Sequence, residues 1–166
     1  MIETARLTLR RVTMADLDAF HDILRRPEVM TYWSTPPHPD RATTETWLTT
    51  TVARDPATTV EFAVVLDGRV IGKVGGGALP EVGYIFHPDA WGKGYATEAM
   101  QALIAFAFAH HDIDHLMADI DPRNAASRSL LQRLGFHYTH HAANTFCING
   151  AWSDSDYYRL NRPQTP

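Results

Sequence analysis

Gly92-Lys93-Gly94 lies between Trp91 and the run Tyr95-Ala96-Thr97, and the types and spacing of these residues suit the binding of an anion. Glycine lets a backbone turn tightly and leaves its amides uncovered by side chains. From Ala96 the apolar residues Ala99, Met100, Leu103, Phe106 and Ala107 recur at helical spacing, which puts the glycines at a helix N-terminus. Unpaired N–H groups and the positive end of the helix dipole gather there, a match for a pyrophosphate. Two nucleotide-binding patterns fail on single residues. The phosphate loop of nucleotide hydrolases needs Ser or Thr after Gly-Lys, and Gly94 follows Lys93. The dinucleotide fingerprint needs Gly or Ala three residues beyond Gly94, where Thr97 stands.

Periodicity identifies the elements that must present this turn. Just before it, Val82, Tyr84 and Phe86 alternate with Glu81, Gly83 and Ile85 as in a strand, and His87-Pro88-Asp89 ends the run. Residues 116–121 read as a strand after the helix, so strand, turn, helix and strand form a crossover unit whose strands lie parallel. Ligands gather beyond the carboxyl ends of such strands. Upstream, residues 60–66 and 70–74 are strands joined by Asp67-Gly68, a type I′ hairpin signal. With a first strand over 6–12 they make an antiparallel meander, and Gly75-Gly76-Gly77 reads as a simple loop at its end.

Thr13 with Asp16 three residues on is a capping-box pattern for a helix buried through Leu17, Phe20 and Leu24, which Pro27 ends. Pro36, Pro37 and Pro39 force a loop, and a weaker, threonine-rich helix follows over 42–53 with Trp47, Leu48 and Val52. A last helix opens near Asn124, carries Leu130, Leu131 and Leu134, and stops at Gly135. Closing strands are expected over 136–141, around 146–148 and over 154–160, with a turn at Asn149-Gly150.

The stretch 81–99 resembles the acetyl-coenzyme A (acetyl-CoA) loop of the GNAT N-acetyltransferases, whose pattern is Gln or Arg, two residues, Gly, one residue, then Gly or Ala. Gly94 and Ala96 match the last two fixed positions, and Trp91 stands in the first, as is usual in the RimJ/RimL-like branch. Thr4-x-Arg6-Leu7-x-Leu9-Arg10, Pro27-Glu28-Val29-Met30, Asn124-Ala125-Ala126-Ser127 with Leu134-Gly135-Phe136, and Asn149-Gly150-x-Trp152-x-Asp154 extend the likeness over nearly the whole chain. The resemblance implies one domain over residues 1–166. Its class is α/β, an α+β mixed sheet in the GNAT acyl-CoA N-acyltransferase fold. An antiparallel N-terminal meander and splayed parallel central strands are flanked by helices, and the coenzyme lies in the gap. The implied partners are acetyl-CoA as donor and a primary amine as acceptor, either a peptide N-terminus or a small molecule, reacting by direct attack in a ternary complex.

Such a transfer needs a neutral amine, a holder for the oxyanion and a proton for the departing thiolate. Backbone amides near Tyr84, Ile85 and Phe86, or in the turn that follows, could hold the oxyanion. With Trp91, Gly92, Lys93, Gly94, Tyr95, Ala96, Thr97, Asn124 and Ser127 they form the expected coenzyme-binding set. Glu81, at the start of the central strand, is the candidate base, or else a strand-end charge. His87 is its rival, since imidazole titrates at about pH 6.5. Many GNAT enzymes protonate the thiolate with a Tyr, but Leu131 occupies the matching place. The resemblance assigns that role to Ser127, whose other reading is a hydroxyl satisfying helix N-terminal amides. Asn124 either bonds the pantetheine arm, caps its helix, or does both. In the family the region after the first helix walls the acceptor site, which makes Tyr32, Trp33 and Trp47 substrate-contact candidates, against a simple core role. An acyl-CoA-binding module without catalysis is the alternative function, motivated by Leu131.

Composition bounds the remaining classes. The 166 residues are 45% hydrophobic and 20% charged, with net charge −4, so the basic footprint of a nucleic-acid binder is missing. No apolar run reaches the roughly 18 residues of a membrane span, and the N-terminal residues do not read as a secretory signal. The single Cys147 forms no internal disulfide and reads as a buried small apolar residue, in keeping with a cytoplasmic protein. His137, His140 and His141, like His110, His111 and His115, lack metal-binding helical spacing, so no metal is expected. A homodimer is the default expectation for assembly.

Overall fold

Strand alternation and turn chemistry produce two sheets in the computed structural model, which describes residues 1–163. The first runs β1 (Ile2–Glu3), β2 (Thr8–Arg11), β3 (Val60–Leu66), β4 (Arg69–Gly76) and β5 (Gly83–Phe86) in chain order, every neighbour antiparallel. The second holds β6 (His115–Ile120), β7 (His137–Ile148) and β8 (Ala151–Asn161), with β8 in the middle. Asp67 and Gly68 turn with φ of 49° and 79°, and Asn149 and Gly150 with 50° and 81°, the left-handed pairs that a type I′ hairpin requires.

The two sheets touch along one short seam. Glu81 bridges Met117 in parallel; the Val82 amide donates to the Met117 carbonyl at 2.8 Å and the Met117 amide to Pro80 at 2.9 Å. Beyond Val82 the strands part, because β6 takes β8 as its ladder partner and β5 pairs only with β4. The parallel relation and the splay expected between these strands are therefore both present.

Alternate residues of the first sheet point to opposite faces, and each face has its own core. Phe62, Val64 and Val74 pack with Met100 and Leu103 of α4 (Tyr95–His110) and with Leu116 and Leu131. Ala63, Val70 and Ile85 pack with Phe20, Ile23 and Leu48, from α1 (Leu17–Leu24) and α3 (Arg41–Val52). The other α-helices among the described residues are the short α2 (Pro27–Met30) and α5 (Ala125–Arg133).

Several expectations need correction. Pro27 does not only stop α1; it opens α2 from the first helical position, where its missing N–H costs nothing. Gly75 and Gly76 belong to β4, paired with Glu61 and Val60, instead of forming a loop. A Cβ on Gly75 would lie 1.8 Å from the Val60 carbonyl oxygen, so close strand approach is why glycine is needed there. The closing strands are one long ribbon of 12 and 11 residues. Cys147 is exposed, not buried, because β7 is the edge of its sheet and most of its length faces solvent. Among the described residues no helix is long and apolar enough to cross a membrane.

Candidate active site

Gly94, at φ 80°, is the N-cap of α4, and Gly92 turns at φ 71°. The first backward bond of the helix is from the Glu98 amide to the Gly94 carbonyl at 3.1 Å, so the amides of Tyr95, Ala96 and Thr97 precede the ladder. Nothing lies within 4 Å of where a Gly92 side chain would begin. A bare turn with unladdered amides fits a pyrophosphate. It borders a cavity of about 880 Å³, lined by Trp91, Gly92, Gly94, Tyr95, Ala96 and Thr97 on one side and by Asn124, Ser127, Leu130 and Arg133 on the other. Tyr84, Ile85 and Phe86 also line it. Lys93 alone of the expected coenzyme set does not; its carbonyl accepts from Arg6 at 3.0 Å while the residue itself is exposed.

A second cavity of about 360 Å³ lies toward α2 and α3, with Tyr32, Trp33, Trp47, Glu61, Lys73 and Glu81 in its wall. All three aromatic candidates for acceptor contact are thus brought to one cavity. Trp47 has a core role as well, meeting the Phe20 ring edge-on at 5.4 Å. Both cavities are lined by Val29, Tyr32, Trp33, Tyr84, Ile85, Asn124 and Ser127, so they meet where the strands part.

At that meeting point the backbone of β5 offers donors. The His87 amide bonds the Ile71 carbonyl of β4 at 2.8 Å, whereas the Val82 amide faces β6. Alternation in an antiparallel ladder gives Tyr84 and Phe86 the direction of Val82, and Ile85 that of His87. Trp91 confirms the direction, since its Nε1 donates to the Phe86 carbonyl at 3.0 Å. Of the three expected oxyanion amides, Tyr84 and Phe86 therefore face the gap and Ile85 does not. The Tyr84 hydroxyl reaches across to the Ser127 carbonyl at 3.4 Å, and burial pushes the phenol up to about 12, so it stays neutral.

On the facing helix, the Ser127 amide donates to Asn124 Oδ1 at 3.0 Å. Asn124 therefore caps α5 through its oxygen and keeps its amide nitrogen for the cavities it lines. Because the cap comes from Asn124, the Ser127 hydroxyl is not needed to satisfy its own helix end. Leu131 is fully buried in the core and supplies no proton. Glu81 is exposed at the rim of the smaller cavity. His87 belongs to neither cavity: its Nδ1 accepts from the Asp89 amide at 3.2 Å and its Nε2 faces Asp22 at 3.2 Å. Its candidacy as base fails on position.

Sequence reasoning missed two groups. Arg133 brings a cation to the larger cavity. Arg54, Glu61 and Lys73 form a charged cluster in the smaller one. For Glu61 and Lys73 the available signal was a charge in the interior of a strand whose neighbours are apolar; Arg54 and Arg133 carried no such signal.

The acetyltransferase (GNAT) domain family matches residues 6–137. The chain belongs to the GNAT acetyltransferases. It is 30% identical over 151 residues to the uncharacterized N-acetyltransferase p20 of Bacillus licheniformis, covering 80% of each chain. It is also 34% identical over 82 residues to the [ribosomal protein uS5]-alanine N-acetyltransferase of Escherichia coli, covering 49% of this chain and 42% of that one. Its fold superposes on RimL, the ribosomal L7/L12 alpha-N-protein acetyltransferase solved with coenzyme A, with a TM-score of 0.84 at 18% identity, over 95% of both chains. The GNAT fold and the RimJ/RimL-like resemblance both stand. As a GNAT enzyme the protein takes an acetyl group from acetyl-CoA and transfers it to an amine.

Proposed function

We propose that the transfer takes place where the two cavities meet, by direct attack of a neutral primary amine on the thioester. The observation that carries this reading is the shared lining at Tyr84, Asn124 and Ser127, which gives a donor-side cavity and an acceptor-side cavity one common wall. The amides of Tyr84 and Phe86 hold the developing oxyanion, being already fixed in a strand and needing little reorganisation. Glu81, on the acceptor side, removes the ammonium proton, and the Ser127 hydroxyl returns a proton to the departing thiolate. The turn from Gly92 to Thr97 holds the pyrophosphate, with Arg133 available to a further phosphate. We read the chain as one GNAT domain, because β8 lies beyond residue 137 yet is the central strand of the second sheet. A cytoplasmic setting accords with the lone thiol and the lack of an apolar spanning helix among the described residues, and a homodimer is the expected assembly.

The test is thiol release from acetyl-CoA with a panel of peptides and small amines, in the wild type and in Gly94→Asp. Aspartate there would have to adopt a left-handed backbone and would bring a carboxylate into the turn, its Cβ 3.4 Å from Arg6 Nη2. Amine-dependent release in the wild type, abolished in the variant, is the expected outcome. Coenzyme A that raises the melting temperature without release on any amine would remove the catalytic roles and leave a binding module.

A further inference from the structure

The acceptor-side cavity has two electrical poles. Toward α3 and β3, Glu61 Oε1 is shared by Lys73 Nζ and by Arg54 Nη1, the latter at 2.8 Å, while Glu61 Oε2 is buried without a partner. The Glu61 and Lys73 side chains are only 6% and 9% exposed. Two cations therefore stand against one carboxylate, Lys73 nearly dry and Arg54 partly exposed, and each retains N–H donors beyond the one directed at Glu61. The excess positive charge is only partly solvated, through Arg54, and so favours a counter-charge at this pole. Burial pushes Lys73 below its ordinary range while Glu61 opposes that shift, and an arriving anion would reinforce Glu61. The other pole is acidic. Glu81 and Asp119 line the same cavity, both exposed, and neither has an ion-pair partner among the described residues. Asp121 is already matched by Arg123 at 2.5 Å.

Resting on the acetyl-transfer reading above, we propose that the acceptor is a small zwitterion of amino-acid type. Its ammonium lies against Glu81 and Asp119, and its carboxylate docks on Arg54 and Lys73. The cavity, about 360 Å³, is of a size for such a molecule. A polyamine would place a second ammonium at the cationic pole, and a neutral peptide would leave that pole unmatched. Trp47 roofs this pole, with Lys73 Nζ 5.8 Å from its ring centre, so the carboxylate would be held in a site partly shielded from water.

The experiment compares thiol release for free amino acids, their C-terminal amides, spermidine, and dipeptides with Asp at the second position. In the wild type kcat/KM for the best acid should exceed that of its amide by about tenfold, the scale of a charge-assisted hydrogen bond. In Arg54→Gln the acid-to-amide ratio should collapse toward unity, and Arg54→Lys should recover part of it. Arg54 is the residue of choice because it is partly exposed, whereas removing Lys73 strips a buried carboxylate of its partner. A coenzyme A-dependent rise in melting temperature checks that each variant is folded. Amides equal to acids in the wild type, spermidine as the best acceptor, or an unchanged ratio in Arg54→Gln would overturn the inference while leaving acetyl transfer intact. Preference for the acidic dipeptide would move the carboxylate to a peptide and overturn the small-molecule assignment. No transfer to any amine would overturn the acetyl-transfer reading, and this inference with it.

Discussion

Ser127 and Asn124 divide the work at the start of α5. Asn124 closes the helix end through its oxygen, so the serine hydroxyl is free to face both cavities. If that hydroxyl protonates the thiolate, Ser127→Ala should lower kcat by about a hundredfold, the low end for a general acid, with the affinity for coenzyme A changed far less. Stopped-flow thiol release together with calorimetric coenzyme binding separates the two effects; a loss confined to binding would demote Ser127 to a contact residue. The residues of this helix end were legible because a cap has a sequence signature. Glu61 and Lys73 carried only a weak signal, since a charge in a strand is normally a solvent position, whereas here the two are buried against each other with Lys73 Nζ 5.8 Å from the Trp47 ring of α3. His87 misled for a related reason: a turn places it next to the glycine loop in sequence while its ring points at Asp22.

At the scale of elements, the segment before β2 is bound to the first turns of α4. Arg6 donates through Nε to Glu98 at 2.7 Å and through Nη1 to the Lys93 carbonyl at 3.0 Å, and its guanidinium lies 4.6 Å from the Tyr95 ring centre. Thr4 adds its hydroxyl to Glu98 at 2.7 Å. Burial pushes Glu98 up, but its bonds to Thr4 and Arg6 outweigh that and hold its carboxyl below the usual range. This arrangement steadies the turn that presents the amides to the pyrophosphate. Arg6→Ala should raise KM for acetyl-CoA by up to about fivefold, the scale of a largely exposed ion pair, with little change in kcat. Glu98→Gln should do the same, and the double variant should be no worse than the worse single one, since both remove one coupled contact. Additive losses in that cycle would show that the two residues act separately. Strand and helix positions such as β3 and α4 were readable from periodicity. The ribbon of β7 and β8 was underestimated because residues 137–148 are exposed on both faces and show no apolar alternation, and Asn144, at φ 54°, interrupts their register.

Across the whole molecule, the gap and its coenzyme side were legible from the order strand, turn, helix, strand, whereas the acceptor side draws its walls from α2, α3, β3, β4 and β6 and has no local signature. What joins the acceptor-side helices to the first sheet is partly electrostatic. Arg10 on β2 grips Asp16 with two bonds, of 2.6 and 2.9 Å, and Asp16 accepts the Thr13 amide at 2.8 Å in the turn that leads into α1. Asp16 is 4% exposed. Burial raises its pKa, yet the bonds from Arg10 and Thr13 prevail and hold it below the ordinary carboxylate range. A group whose folded pKa is depressed stabilises the fold above its unfolded pKa of about 3.9, and that stability is lost as pH falls through the folded value. Asp121, held low chiefly by Arg123 where β6 leads toward α5, acts in the same direction. Asp16→Asn should therefore cost about 2 kcal/mol at pH 7, the scale of a buried charged hydrogen bond. The gap between variant and wild type should narrow as pH drops below about 4. Urea unfolding at pH 7, 5, 4 and 3 measures it. A difference independent of pH would mean that Asp16 stabilises by shape and capping alone, leaving the joint between helices and sheet to apolar packing.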